Sequence, residues 1–263
     1  MSIPIYIVDA FADRPFQGNP AAICPLERPA DPSWMQRVAA EMNLSETAFT
    51  VPNANGFDLR WFTPRVEVDL CGHATLATAH LLWQKEFAPA GKPIHFQTRS
   101  GELTCVQTAG RIELDFPAEP ERGVPPSAEL DTALGAKSLY VGRNRFDILA
   151  EFPSEEAVRQ LRPDFAKLEA IPARGIIVTA RSDSPRFDFV SRFFAPAVGV
   201  NEDPVCGSAH CCLGPFWSAR LKKTDLVGHQ ISARGGVVGV KVHGDRVVLC
   251  GTAVTVVEGY IAT

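Results

Sequence analysis

Two Cys-Gly dipeptides, Cys71-Gly72 and Cys206-Gly207, are the residues of this chain best placed to do chemistry. Each opens a run of small and apolar residues that ends near a Trp, Trp83 in the first case and Trp217 in the second. A glycine where a loop enters a helix lets a ligand approach the backbone closely. The unpaired N–H groups of the first turn carry partial positive charge. Two such helix starts facing one cleft would grip a carboxylate or another anionic group through Gly72, Gly207 and Ser208. A thiol at a helix N-terminus also ionises more readily, which gives Cys71 and Cys206 a possible chemistry of their own. The competing reading is two ordinary small-residue helix starts, with the thiols filling space. Retention of the same dipeptide at both places favours function.

The dipeptides belong to a longer repeat. Arg60-Trp61-Phe62-Thr63-Pro64 precedes the first, and Arg192-Phe193-Phe194-Ala195-Pro196 precedes the second. Cys71 and Cys206 are 135 residues apart, as are Thr98 and Ala233, whereas Arg60 and Arg192 are 132 apart. The second copy therefore carries extra residues in the polar, Pro-ended loop Ala197 to Pro204. The period is too long for a solenoid and has the size of a small domain. The chain is expected to form two similar lobes, residues 1–117 and 118–263, with a site where the halves meet and last strands that can pack across the lobe boundary.

The positioning elements follow from local patterns. Asp31-Pro32 starts a helix, with Asp as cap and Pro in the first turn. Trp34, Met35, Val38, Ala39 and Met42 recur at helical spacing, and Asn43-Leu44-Ser45-Glu46 ends it. Thr47 to Val51 and Phe57 to Phe62 read as strands about a Pro/Asn/Gly turn. His73 to Trp83 has almost no charge on any face, so that helix is expected to be buried all round. A sheet curled about it would do this; a flat sheet on one side would not. Pro117 to Ser127 reads as a linker. Ser154 caps a helix running to about Leu168, with a break expected at Pro163. Ser208 to Leu221 is the second central helix, and Pro215 is expected to kink or end it. The expected fold class is α+β: two pseudo-symmetric lobes, each a barrel-like, largely antiparallel sheet around a central helix.

Composition excludes several functions. The chain has 263 residues and a net charge of −4. No basic stripe interleaved with aromatic residues marks a nucleic-acid face. No apolar run reaches the roughly 18 residues of a membrane span, and the start reads as a strand rather than a signal peptide. Seven cysteines, an odd number without Cys-x-x-Cys spacing, point to reduced thiols in a cytoplasm. No metal is expected, since Cys211-Cys212 are adjacent and no His pair sits at ligand spacing.

Several segments together resemble the PhzF family of phenazine-biosynthesis-like proteins. They are Phe16-Gln17-Gly18-Asn19-Pro20-Ala21-Ala22, Asn43-Leu44-Ser45-Glu46-Thr47-Ala48-Phe49, Arg60-Trp61-Phe62-Thr63-Pro64, Asp69-Leu70-Cys71-Gly72-His73-Ala74-Thr75 and Glu202-Asp203-Pro204-Val205-Cys206-Gly207-Ser208-Ala209-His210. The resemblance runs through nearly the whole chain. It implies the diaminopimelate epimerase-like fold, a homodimer, and a cofactor-independent isomerase acting on a small anionic metabolite, a cyclic or unsaturated amino- or hydroxy-carboxylic acid.

The resemblance also assigns roles. Without it, Glu46 is a solvated or capping carboxylate; with it, Glu46 is the catalytic base that takes a proton from one carbon and returns one to another. A partly dry pocket makes a carboxylate basic enough for this. His73 and Asp203 orient the substrate and assist proton movement, and an Asp near the His would fix its tautomer and favour its charged form. Ser208 and Asn19 join Gly72 and Gly207 as substrate-binding residues. His80 and His210 are expected to pack within or beside the central helices. The first alternative is a two-cysteine amino-acid racemase or epimerase using Cys71 and Cys206. His73 and Ser208 depart from the Asn or Thr those enzymes usually carry after Cys-Gly, and Glu46 would be idle. Cys206 in turn departs from the Thr of phenazine-pathway members. The second alternative is a non-catalytic binding protein.

Overall fold

The computed structural model of the chain describes residues 2–262. Its contacts divide it into two compact units, Met1–Asp115 with Cys250–Thr263, and Phe116–Leu249.

In the first unit, β1 (Ile3–Ala10) pairs antiparallel with β2 (Asn19–Pro25), and on its other side with β18 (Ala253–Ile261). Helix α1 (Pro32–Met42) then connects β2 to β3 (Glu46–Asn53), which lies parallel to β2. The Asp31 side chain caps α1 by accepting from the Ser33 and Trp34 N–H groups, and Asn43 closes it in the left-handed region at φ 49°. Beyond β3 come β4 (Gly56–Phe62) and β5 (Glu67–Val68), both antiparallel to their predecessor. Helix α2 (Gly72–Gln84) carries the chain across to β6 (Ile94–Thr98), parallel to β4, and β7 (Gly101–Thr108) and β8 (Arg111–Pro117) complete a meander. Apolar residues of α1 (Met35, Val38, Ala39) meet Phe49 and Phe62 of the sheet. The two rings sit edge to face at 5.6 Å.

Helix α2 is the buried element expected from its composition. Leu76, Ala77, Ala79, Leu81 and Leu82 are fully buried, and the helix contacts β1, β2, β3 and β18. Its buried hydroxyls turn inward: Thr75 Oγ1 donates to Cys71 O at 2.6 Å and Thr78 Oγ1 to Ala74 O at 2.7 Å. Such back-bonding to the preceding turn satisfies polar groups that would otherwise cost stability in a dry interior.

The second unit repeats the plan. β9 (Arg122–Gly123), β10 (Tyr140–Arg143) and β11 (Asp147–Glu151) are successively antiparallel. β12 (Gly175–Arg181) is parallel to β11, β13 (Phe189–Ala195) antiparallel to β12, and β14 (Val200–Asp203) antiparallel to β13. Helix α6 (Gly207–Leu221) leads to β15 (Asp225–Gln230), parallel to β13, and β16 (Gly236–His243) pairs antiparallel with β15 before β17 (Arg246–Gly251). Strand for strand, β2–β3–β4–β5–α2–β6–β7 and β11–β12–β13–β14–α6–β15–β16 have the same order and the same parallel and antiparallel pairings.

The repeated sequence motif acquires a structural reason here. Arg60 grips Glu67 with two hydrogen bonds, 2.7 and 2.8 Å, and its guanidinium stacks over Phe62. Arg192 grips Glu202 at 2.8 and 2.9 Å and stacks over Phe194. Glu67 and Glu202 each stand the same distance before their Cys, so the extra residues of the second copy fall inside the clamp loop and leave the helix start undisturbed.

Two local readings change, and the break expected at Pro163 is found. Residues after Ser127 form helix α3 (Ala128–Leu134), capped by the Ser127 side chain on the Leu130 N–H; the Pro-rich stretch before it masked the signal. The segment after Ser154 is two short helices, α4 (Glu155–Gln160) and α5 (Phe165–Glu169), with Pro163 between them. Helix α6 continues through Pro215. The carbonyl that Pro215 leaves without its helical donor is that of Cys211, and the Glu119 N–H takes its place at 3.0 Å. A proline is tolerated inside a helix when another segment re-satisfies the freed group.

Candidate active site

In the first unit, the start of β2, the start of β3 and the start of α2 converge. Asn19 opens β2, Glu46 opens β3 in register with Ala21, and Cys71 caps α2 without a side-chain capping bond. His73, in the first turn of α2, is the hub. Its Nε2 lies 3.2 Å from Glu46 Oε2 and 3.3 Å from Ser45 Oγ. Its Nδ1 lies 3.3 Å from Asn19 Nδ2 and 3.5 Å from Cys71 Sγ. Ser45 Oγ donates to Asn19 Oδ1 at 3.1 Å.

Glu46 Oε2 is buried and has no hydrogen-bond partner, although it lies 3.2 Å from His73 Nε2. A buried carboxylate oxygen without a donor is costly, and active sites are where such costs collect. Burial pushes the His73 imidazole below its ordinary value, with the Glu46 charge working the other way. The ring is therefore neutral near pH 7. The acidic neighbour here is Glu46, and desolvation outweighs its charge.

Glu46, Cys71 and His73 each offer a potential metal-ligand atom within 4.8 Å of the others. Cys71 approaches the Nδ1 edge of the imidazole and Glu46 the Nε2 edge.

The second unit places Asp203, Cys206, Gly207 and Ser208 about the start of α6. Cys206 Sγ is 3.3 Å from Ser208 Oγ. Gln230, fully buried, ties the loop by accepting the Cys206 N–H at 3.0 Å and donating to Asp203 O at 2.7 Å. Arg174, just before β12, donates to Ser208 Oγ at 2.9 Å and is held in a two-pronged pair by buried Asp147 at 2.9 and 2.5 Å. The Cys206 thiol is pushed up to about 12, first by burial and then by the Asp203 charge, against the opposing pull of Arg174. The expected gain in acidity at a helix N-terminus is not realised there.

Ser45, Arg174, Asp147 and Gln230 were not singled out from the sequence. The repeat carried the signal for two of them: strand register makes Ser45–Glu46 the counterpart of Arg174–Gly175, since Thr47 pairs with Phe62 and Ile176 with Phe194. His80 and His210 lie on the two central helices, as expected, and burial lowers both. No helix among the described residues is long and apolar enough to cross a membrane.

A family model for phenazine biosynthesis-like proteins (PhzC-PhzF) matches residues 8–259. A protein of Halalkalibacterium halodurans named as an uncharacterized isomerase is 56% identical over 260 residues, covering 98% of each chain. The crystal structure of a PhzF-family phenazine biosynthesis protein from Enterococcus faecalis superposes with a TM-score of 0.96 at 45% identity, covering all of both chains. A predicted epimerase from Pseudomonas aeruginosa, 21% identical with a TM-score of 0.74 over 99% of each chain, shares the fold.

Proposed function

The chain belongs to the phenazine biosynthesis-like (PhzC-PhzF) family, and from that premise we propose that it is a cofactor-independent isomerase that moves a proton within a small carboxylic acid, with Glu46 as the base. The observation that carries this reading is Glu46 Oε2: buried, without a hydrogen-bond donor, and 3.2 Å from a neutral imidazole. A carboxylate with an oxygen that no protein donor engages keeps acceptor capacity for a substrate proton. A proton returned to a different carbon of the same molecule leaves no net redox change.

The substrate class proposed is a cyclic or unsaturated amino- or hydroxy-carboxylic acid. In the first unit, the Gly72 N–H at the start of α2 is the proposed contact for an anionic group. The proposal keeps Asp203, Gly207 and Ser208 of the second unit as substrate-handling residues, on the family resemblance. The seven cysteines are buried and none is joined in a disulfide, which supports a reducing compartment such as the cytoplasm.

The test is exchange with solvent. Candidate acids are incubated with the protein in D2O and examined by mass spectrometry. The native chain is expected to build deuterium into its substrate, and Glu46→Gln to slow that exchange about 10²–10⁴-fold. Exchange at an unchanged rate in Glu46→Gln removes Glu46 from the role.

A further inference from the structure

Asn19 belongs to a closed ring of hydrogen bonds rather than to an open binding surface. It is 0% exposed. Its Nδ2 faces His73 Nδ1, and its Oδ1 accepts from Ser45 Oγ, whose oxygen in turn faces His73 Nε2. A side-chain amide nitrogen only donates, so Nδ1 of His73 is an acceptor. A neutral imidazole that accepts at Nδ1 carries its hydrogen on Nε2. Ser45 gives its single hydrogen to Asn19 and is left with lone pairs toward Nε2–H. Donor meets acceptor at every step.

The same three side chains could also be joined in the opposite sense, with the amide turned over, Nδ1–H donating to Asn19 and Ser45 donating to Nε2. Two neighbours outside the ring decide between the senses. In the reversed ring an Nε2 without hydrogen would lie 3.2 Å from Glu46 Oε2, which sets two electron-rich atoms side by side. It would also turn an Nδ1–H donor toward the Cys71 thiol, 3.5 Å away, in place of an acceptor. Carboxylate and thiol select the same direction.

We infer that Asn19 and Ser45 are positioning residues that hold neutral His73 as the Nε2–H tautomer, with that hydrogen beside Glu46 Oε2. The inference rests on the proposed role of Glu46. It leaves Oε1 as the oxygen that receives a substrate proton, because Oε2 is the buried oxygen and stands beside the ring. It also gives Asn19, expected to touch substrate, an indirect role through His73.

His210 supplies an internal control. Its Nδ1 lies 2.8 Å from Cys206 O, so Nδ1 must donate, and its Nε2 is buried without a partner. The full chain labelled with 15N-histidine is examined near pH 7 without ligand by proton–nitrogen correlation through the ring bonds, with His73 assigned by loss of its signals in His73→Gln. His73 is expected to show the Nε2–H pattern and His210 the opposite one. His73 appearing as Nδ1–H or as imidazolium overturns the inference, and the native chain alone suffices to show it. Asn19→Asp offers Nδ1 only acceptors and is expected to move the hydrogen to Nδ1 or to charge the ring. A folded Asn19→Asp protein with an unchanged His73 pattern overturns the role of Asn19. None of these spectra involves proton transfer to substrate, so the loss of Glu46 as base would be seen separately, in the exchange assay.

Discussion

The two Cys-Gly helix starts share a frame and differ in chemistry. Each follows an Arg–Glu clamp, Arg60–Glu67 in one unit and Arg192–Glu202 in the other. Each Cys carbonyl accepts a back-bond from the residue one turn on, Thr75 in one case and His210 in the other. The divergence lies where the first strand of the clamp sheet begins. There the first unit has Ser45–Glu46 and the second Arg174–Gly175. A Cβ built on Gly175 would lie 2.3 Å from the Phe193 ring, so that position cannot carry a side chain unless the ring moves. A carboxylate at this strand position therefore exists in one copy only. This asymmetry fits one-base chemistry better than a mechanism with matched acids in both copies, and the high Cys206 pKa points the same way.

The largest effect expected separates the two copies directly. Glu46→Gln should cost about 10²–10⁴-fold in proton exchange, whereas Cys206→Ser should change it by no more than a few-fold. Comparable losses in both variants would revive the two-thiol reading.

Next is acid stability. His210 is held down to about 4 by burial from an ordinary 6.5. The unfolded chain therefore binds a proton below pH 6.5 that the folded chain refuses until about pH 4. Stability is fully present above pH 6.5 and falls as pH drops through that window, by about 3 kcal/mol from this group. Burial lowers His73, His80 and His229 in the same direction. His210→Thr copies the first unit's solution, and denaturant melts at pH 7 and pH 4.5 should show a shallower pH dependence. An unchanged slope would mean that His210 does not set it.

Asp147→Ala should follow, at about 2–3 kcal/mol. It leaves Arg174 without its buried partner, a cost reduced because the guanidinium is partly solvated. Ser45→Ala at the counterpart position of Arg174 removes a neutral hydrogen bond and should cost only about 1 kcal/mol. The smallest difference concerns the clamps. Arg192 also donates to Val158 O and Leu161 O, whereas the Arg60 side chain is 31% exposed. Arg192→Ala should lower the melting midpoint more than Arg60→Ala, by an extra ~1 kcal/mol. Equal losses would show that the two carbonyl bonds add nothing.

Much of this was legible in the chain itself. The internal repeat announced two copies of one plan, and uncharged α2 announced a helix buried on every side. Asp31, Ser127 and Ser154 cap their helices through contacts a few residues away, which is why local pattern can find them; Ser127 was passed over because the prolines before it read as linker. Pro215 misled because the rule against helical proline is local, while the Glu119 N–H that rescues the Cys211 carbonyl comes from far along the chain. Cys206 misled in the same way: the helix start was read correctly, but burial and Asp203 set the thiol's chemistry.

From sequence alone came the duplication and the matched Cys71 and Cys206 helix starts, because apolar periodicity, caps and repeated motifs are written in neighbouring residues, and Glu46 and His73 were singled out through the family resemblance of their segments. Tertiary structure alone decided that Asn19 and Ser45 close a ring on His73, that Asp147 and Arg174 address Ser208, and that Glu46 Oε2 is left without a donor. Those outcomes depend on strand register and on which polar groups lose water together, and both are set only when distant segments meet.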